Sequence, residues 1–95
     1  MDLQIILEVV TKETNTTQDA LKSACRKREI SDARFLFFFF SFYLTSKSCI
    51  EIGRFLCRKH HTALYGAKKA AELKKNYKDF YKKFHDINNK LNLNT

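Results

Sequence analysis

The scarcity of chain-breaking residues limits the folds open to this sequence. Its 95 residues include two glycines, Gly53 and Gly66, and no proline. A sheet protein needs many tight turns, which glycine and proline usually supply. We therefore expect an all-α fold, with residues 1–95 forming a single small helical domain.

Apolar periodicity and capping residues predict about six helices joined by short turns. Ser48 and Glu51 match the capping-box pattern, in which two side chains satisfy free amides at a helix start. An apolar stripe from Leu73 to Leu91 at helical spacing predicts a final helix over about 76–91. The other helices are expected from the N-terminus to about Lys12, over Gln18 to Ser23, from an N-cap at Ser31 to near Ser46, from Ser48 to a turn at 57–59, and from His60 to about Lys74.

The segment from Glu51 to Leu64 predicts a short helix, a tight basic turn and a second helix. That second helix begins with His60, His61 and Thr62, whose side chains all donate or accept hydrogen bonds. Such a layout is typical of a helix-turn-helix, where the N-terminal end of the second helix contacts base edges in the major groove. The sequence therefore predicts a helix-turn-helix over about 48–74.

Five residues of this segment stand in register with a known pattern, E-I-G-x-x-F-G-G-R-D-H-T-T-V: Glu51, Ile52, Gly53, His61 and Thr62. Through them, and across nearly the whole chain, the sequence resembles the C-terminal DNA-binding domain of the bacterial replication initiator DnaA. The resemblance implies a Trp-repressor-like all-α fold. It also implies sequence-preferring binding to double-stranded DNA at a DnaA-box-like site, with a role in the initiation of DNA replication or its regulation.

The resemblance places the start of the fifth helix in the major groove and the basic loop before the third helix in the minor groove. His60 replaces an aspartate of the pattern and Ala63 replaces its second threonine, so base preference is expected to shift there. Arg26 aligns with the minor-groove reader, and such arginines sense groove width and A·T content. In the alternative interpretation, neither segment contacts DNA. The start of the fifth helix is then a helix cap with a solvated surface, and the basic loop is simply solvated. The expected base contacts are Arg26, His60, His61, Thr62 and Ala63, and the expected phosphate or loop contacts are Arg28, Arg34, Ser48, Lys59, Lys68 and Lys69.

Three positions depart from the family's habit. Polar or basic residues are common in the family where Phe35 and Phe42 stand, and a polar residue where Gly66 stands. A glycine inside a helix also costs about 1 kcal/mol relative to alanine. These changes predict weaker DNA binding than that of a typical initiator. Lys68 and Lys69 are candidates to compensate, or alternatively belong to a solvated face.

A run of aromatic residues covers nearly the full circumference of the third helix. One side is expected to form core, whereas the other side, the aromatic stripe, has two interpretations. Either the first and last helices cover the stripe, or it is an exposed patch that binds a protein partner or a second copy of the chain. The second interpretation makes a repurposed protein-interaction or dimerisation module the alternative function. The core side comprises Leu36, Phe37, Phe40 and Leu44, and the aromatic stripe comprises Phe35, Phe38 and Phe42.

Charge points to a polyanionic partner. The formal net charge is +8, and residues 1–23 carry four acids against two lysines, so residues 24–95 carry +10. A basic excess of this kind favours nucleic acid first and an anionic membrane surface second. The apolar run from Phe35 to Leu44 is too short to span a bilayer. With three cysteines and no disulfide pattern, we expect a cytoplasmic, nucleoid-associated protein.

Motifs for catalysis and cofactors are missing from the sequence. The phosphate loop of an ATPase has the form G-x-x-x-x-G-K-[ST], which two isolated glycines do not supply. We therefore expect no nucleotide, no cofactor and no enzymatic activity, as in a DnaA-related protein lacking the ATPase module. Enough potential zinc ligands lie close together in the sequence, namely Cys49, Cys57, His60 and His61. The paired C-x-x-C spacing of zinc sites is missing, however, so no metal is expected.

Overall fold

The computed structural model describes residues 2–93 of the chain, and all regular structure in that range is helical. This confirms the predicted all-α fold with six helices. The helices are α1 (Leu3–Thr14), α2 (Gln18–Lys22), α3 (Arg28–Leu44), α4 (Cys49–Phe55), α5 (His60–Asn76) and α6 (Lys78–Leu93). Within the described range, no helix combines the length and apolar character needed to cross a membrane.

Short polar side chains cap the starts of α1, α2 and α4. The Asp2 carboxylate accepts from the amide of Gln4 at 3.0 Å. At α4 the predicted N-cap is present, because the Ser48 hydroxyl accepts from the amide of Glu51 at 3.2 Å, while the Glu51 carboxylate accepts from the Ser48 hydroxyl at 3.3 Å instead of from its amide. Such caps satisfy amides that have no partner inside the helix.

The third helix starts earlier than the sequence predicted. Ser31 is not its N-cap, because its amide already donates to the Lys27 carbonyl at 2.9 Å as part of the helix. Lys27 is the N-cap and supplies no capping side chain. Ile30 packs against the core, so burial of an apolar residue extends the helix beyond the point where local capping signals would begin it.

The core surrounds α3, which contacts every other helix and packs most extensively against α5. Leu36, Phe37 and Phe40 are fully buried, as predicted. The Phe84 ring of α6 lies 4.8 Å from the ring of Phe40 and 4.9 Å from that of Phe39. Helix α6 therefore adds a third layer over the end of α3.

The aromatic stripe faces α5, so the predicted burial of the stripe is confirmed for Phe38 but the covering helix differs from the predicted ones. Phe38 is 1% exposed and belongs to the core, so its assignment to a protein interface is wrong. Phe35 and Phe42 are half-buried, and the ring of Phe35 meets Tyr65 of α5 edge-on at 6.2 Å. The first and last helices do not provide this cover, because α5 crosses the stripe.

A glycine makes the crossing of α3 and α5 close. A Cβ atom added to Gly66 would lie 2.5 Å from Cδ2 of Phe38 and 3.3 Å from Cδ1 of Phe35. The glycine that weakens α5 as an isolated helix thus makes room for two aromatic rings. Gly66 and the rings of α3 form one packing unit.

Candidate nucleic-acid interface

The turn between α4 and α5 depends on a glycine in α4. A Cβ on Gly53 would lie 2.8 Å from the Lys59 carbonyl oxygen and 3.0 Å from that of Arg58. Backbone atoms cannot move aside as a flexible side chain does, so the turn approaches α4 only because Gly53 has no Cβ. The approach is closed by a hydrogen bond of 2.8 Å from the Arg58 amide to the Gly53 carbonyl.

Cys57 adopts the left-handed conformation in this turn, with φ of 58°. Glycine adopts that region at little cost, whereas other residues do so rarely. In the register of the pattern given above, positions 57 and 58 are both glycine, and here they are Cys57 and Arg58. The turn therefore holds a residue other than glycine in the left-handed region, and position 58 carries a long cationic side chain.

The turn places the polar N-terminus of α5 at the protein surface. Lys59 is the N-cap of α5 and forms no side-chain capping bond, so it leaves the helix start open to an anion. His60 and His61 are exposed, with ring centroids 5.4 Å apart and nearly perpendicular planes. Thr62 is half-buried. The residues predicted to contact bases at 60–62 are therefore brought together at one accessible helix end.

Ala63 does not belong to this group. It is fully buried in the core, so the predicted base contact at Ala63 is wrong. The reason is helix geometry, because Ala63, Gly66 and Ala70 share the side of α5 that faces α3.

Two apolar residues of α5 that the sequence analysis did not single out are exposed instead of Ala63. Leu64 is 41% exposed and Tyr65 is 59% exposed. Both share a helix face with His61 and Lys68, at spacings of three, four and seven residues. These four residues are the outer face of α5. The signal was present in the sequence as an apolar pair offset from the small residues Ala63, Gly66 and Ala70.

The basic loop, residues 23–27, joins α2 to α3. Arg26 is exposed in it and available to an external partner, and its contact with the minor groove stays a prediction. Arg34 is different, because it is buried and its guanidinium donates to four backbone carbonyls. Burial lowers the pKa of Arg34, and the nearby charge of Arg58 lowers it further. Its predicted phosphate contact is therefore replaced by an internal role in shaping the loop.

The other residues predicted to contact phosphates differ in their exposure and in whether they already have a partner within the protein. Lys59 and Lys68 are exposed, and no ion pair involving either is present among residues 2–93. Lys69 is half-buried and lies 3.8 Å from the Glu72 carboxylate. The Ser48 hydroxyl is engaged with Glu51, as described above for the N-cap of α4.

Arg28 lies on the side of α3 near α6. Its guanidinium is 3.6 Å from the Asp32 carboxylate and 5.7 Å from the ring centroid of Tyr77. Burial raises the pKa of Asp32, and the charge of Arg28 partly opposes that rise. Arg28 is consequently committed to a different side of α3 from Arg34.

Two neighbouring cavities connect the basic loop with the start of α5. The first, about 420 Å³, lies between the loop and the turn, and the second, about 380 Å³, lies between α4 and the start of α5. They share Cys57 and Arg58, which makes a continuous cationic surface from Arg26 to His60. The first is lined by Lys22, Ala24, Arg26, Arg34, Cys57 and Arg58, and the second by Ile50, Arg54, Cys57, Arg58, Lys59 and His60.

No group of three or more histidine, cysteine or acidic side chains in the described part of the chain is placed to hold a metal ion. The three cysteines are free thiols, with Cys57 exposed and Cys25 and Cys49 half-buried.

The family model described as bacterial dnaA protein helix-turn-helix matches residues 3–70. The chain belongs to this family. The matched part of the DnaA-type helix-turn-helix chain includes the basic loop, the turn and the whole outer face of α5. Membership in a helix-turn-helix family supports DNA binding.

Full-length relatives agree with this assignment. The chromosomal replication initiator protein DnaA of Campylobacter curvus is 32% identical over 92 residues, which cover 96% of this chain and 21% of that protein. The same protein of Campylobacter concisus is 30% identical over 92 residues, with the same coverage, and that of Crocosphaera subtropica is 30% identical over 91 residues. The DnaA-type chain thus spans about a fifth of the length of these relatives.

Proposed function

We propose that this protein binds double-stranded DNA with sequence preference, at a site resembling a DnaA box. The observation that carries the proposal is the continuous cationic surface from Arg26 to His60, with the exposed polar start of α5 at one end. A helix end of this kind fits the major groove, and an exposed arginine on an adjoining loop fits a narrow minor groove.

Several accessible side chains at the start and on the outer face of α5 have chemistries suited to different parts of a duplex. His61 donates to or accepts from a base edge, and the hydroxyl of Thr62 does the same. Leu64 offers an apolar contact to a thymine methyl group. Lys59 and Lys68 are placed at the start and in the middle of the helix as phosphate contacts, which fix orientation without reading sequence.

We further propose a role in the initiation of DNA replication or its regulation, and a location at the nucleoid. The support is the similarity to proteins named chromosomal replication initiator protein DnaA. Because the chain spans about a fifth of them, the part proposed for it is attachment to DNA.

The test is a fluorescence-anisotropy titration on two duplexes, one with a DnaA box and one with the same bases scrambled, at two salt concentrations. Replacing His61 with alanine should reduce discrimination between the duplexes by about 1–3 kcal/mol. His85→Ala is the matched control, because His85 is an exposed histidine on α6. Equal binding of both duplexes by the wild-type protein would refute a sequence-preferring function.

A comparison of two lysine variants distinguishes a direct phosphate contact from the effect of net charge on DNA affinity. Lys59→Ala should weaken both duplexes alike and make the salt dependence of log K shallower by about one unit. Lys82→Ala removes the same charge from the exposed surface of α6 and should change the affinity less.

A second candidate, association through the third helix, retains one supporting observation. Tyr43 is 70% exposed, beside an open groove of about 350 Å³ lined by Phe39, Phe42 and Ala67. A dimer of this kind should become monomeric in light scattering when Tyr43 is changed to Ser, with the fold retained. A monomeric wild-type protein would exclude this candidate.

A further inference from the structure

Arg58 links the turn to a distant part of the chain. Its guanidinium donates to the carbonyl of Lys22 at 3.4 Å and to the carbonyl of Ser23 in a short hydrogen bond. It also donates to the Leu56 carbonyl at 3.1 Å within its own turn. One side chain therefore joins the end of α2 and the start of the basic loop to the turn that precedes α5.

Arg34, on α3, donates to carbonyls of the same backbone segment. It donates to the carbonyls of Leu21 at 2.8 Å, Ser23 at 2.7 Å and Cys25 at 2.7 Å, and to that of Ala20 at 3.1 Å. The carbonyl of Ser23 accepts from both guanidinium groups. Carbonyls at a helix C-terminus carry partial negative charge, which favours two cations there. We call this arrangement the arginine clasp.

The clasp lies between the two elements proposed to read DNA. Arg26 directly follows Cys25, whose carbonyl is held by Arg34. His61 follows Arg58 by three residues, across the open start of α5. Release of Arg58 would leave the loop attached to α3 but detached from the turn. The two arginines therefore have different roles: Arg34 shapes the loop, and Arg58 sets its position relative to α5.

We propose that Arg58 is a positioning residue that fixes the distance between Arg26 and the start of α5, and so makes the protein select DNA by the spacing between an A·T-rich minor-groove segment and the major-groove site. This rests on the proposed DNA-binding function and adds a spacing rule to it. A duplex whose two segments are offset by one base pair engages one element or the other, not both.

The experiment is a set of duplexes in which the number of base pairs between an A·T-rich segment and the box is varied one at a time. A parallel set carries a G·C-rich segment instead. The wild-type protein should show one preferred spacing, with about a tenfold loss for a one-base-pair offset, and no preference in the G·C set. Arg58→Ala should reduce that loss to about twofold, while Arg58→Lys, with one ammonium group in place of a fork, should fall between.

Arg54→Ala is the matched control, because Arg54 is an exposed cation one turn earlier, on α4. It should lower affinity at all spacings equally and keep the preferred spacing. Circular dichroism melting of Arg58→Ala checks that the fold is retained. If Arg58→Ala keeps a spacing preference as sharp as that of the wild-type protein, Arg58 is a simple cation and the proposal is wrong. A wild-type protein that binds the box but ignores spacing overturns the proposal alone, whereas one that binds no duplex overturns the proposed function as well.

Discussion

The contact between α3 and α5 is apolar and closely fitted, whereas the contact between the basic loop and the turn is polar and half-exposed. In the first, aromatic rings fill the space left by Gly66. In the second, the guanidinium group of Arg58 in the turn donates to the carbonyls of Lys22 and Ser23. Apolar burial contributes to stability in proportion to area, while hydrogen bonds contribute less but fix direction. Changes at the first contact should therefore unfold the protein, and changes at the second should mainly alter how it meets DNA.

The largest effect is expected at Phe38. Replacement of this buried ring by serine should lower the free energy of unfolding by about 3–5 kcal/mol, because it leaves a cavity between α3 and α5. The matched control is Tyr43→Ser, an aromatic residue of the same helix that is 70% exposed. Chemical denaturation measures both. Similar small losses for the two variants would mean that Phe38 is not part of the core.

Replacing Arg34 with methionine should have the next largest effect. It leaves four carbonyls without their charged donor, and hydrogen bonds to charged groups contribute about 1.5–3 kcal/mol. Loss of stability, measured by chemical denaturation, is expected for Arg34→Met but not for Arg54→Met at an exposed site. If Arg34→Met keeps wild-type stability and loses affinity for all duplexes, the predicted phosphate contact was right and the internal role is wrong.

A double-mutant cycle of Gly66 and Phe38 tests how closely the apolar contact between α3 and α5 is fitted. Gly66→Ala gains about 1 kcal/mol of helix propensity but forces a Cβ against the Phe38 ring, and overpacking costs about 1–3 kcal/mol. We expect a net loss of stability in the wild-type background. In the Phe38→Leu background, the same substitution should be neutral or stabilising. Additive effects in thermal melts would show that the ring and the glycine do not form a packing unit.

The smallest effect concerns Asp32, whose pKa is raised by burial. A raised pKa means that the folded protein binds the proton more tightly than the unfolded chain, so stability falls as the carboxyl group ionises with rising pH. Asp32→Asn should therefore melt slightly higher than the wild-type protein at neutral pH, and the difference should vanish in acid. The ion pair with Arg28 is exposed on the arginine side, so its loss should offset little of the gain. Asp86→Asn, at an exposed site on α6, is the control. An equal rise in melting temperature for Asp86→Asn would mean that burial of Asp32 does not cause the effect.

Local signals predicted the helices well, because caps and periodicity depend on residues close in sequence. The N-cap at Ser48 and the apolar side of α3 are examples. Orientation around a helix was predicted less well, since it depends on which neighbour crosses it. Ala63 and Arg34 were assigned to DNA by register alone, yet one faces α3 and the other reaches carbonyls as far as 14 residues away in sequence.

The pairing of Gly66 with Phe38, and of Arg58 with Ser23, had no signal in a single sequence. Each joins two elements whose closeness emerges only in the folded chain. The exposed pair Leu64 and Tyr65 was within reach of sequence reasoning. It required placing the small residues Ala63, Gly66 and Ala70 on the core side first.

The most direct test of DNA recognition by the loop and α5 is an NMR titration of the isotope-labelled protein with box and scrambled duplexes. With the box, we expect the largest amide shift changes at Arg26, His60, His61, Leu64 and Lys68. The scrambled duplex should give smaller changes at the same surface, because phosphate contacts remain while base contacts are lost. Helix α6 is also rich in lysine, with Lys78, Lys82, Lys83 and Lys90, and serves as an internal reference for charge alone. Changes centred on α6, or identical changes with both duplexes, would contradict the account.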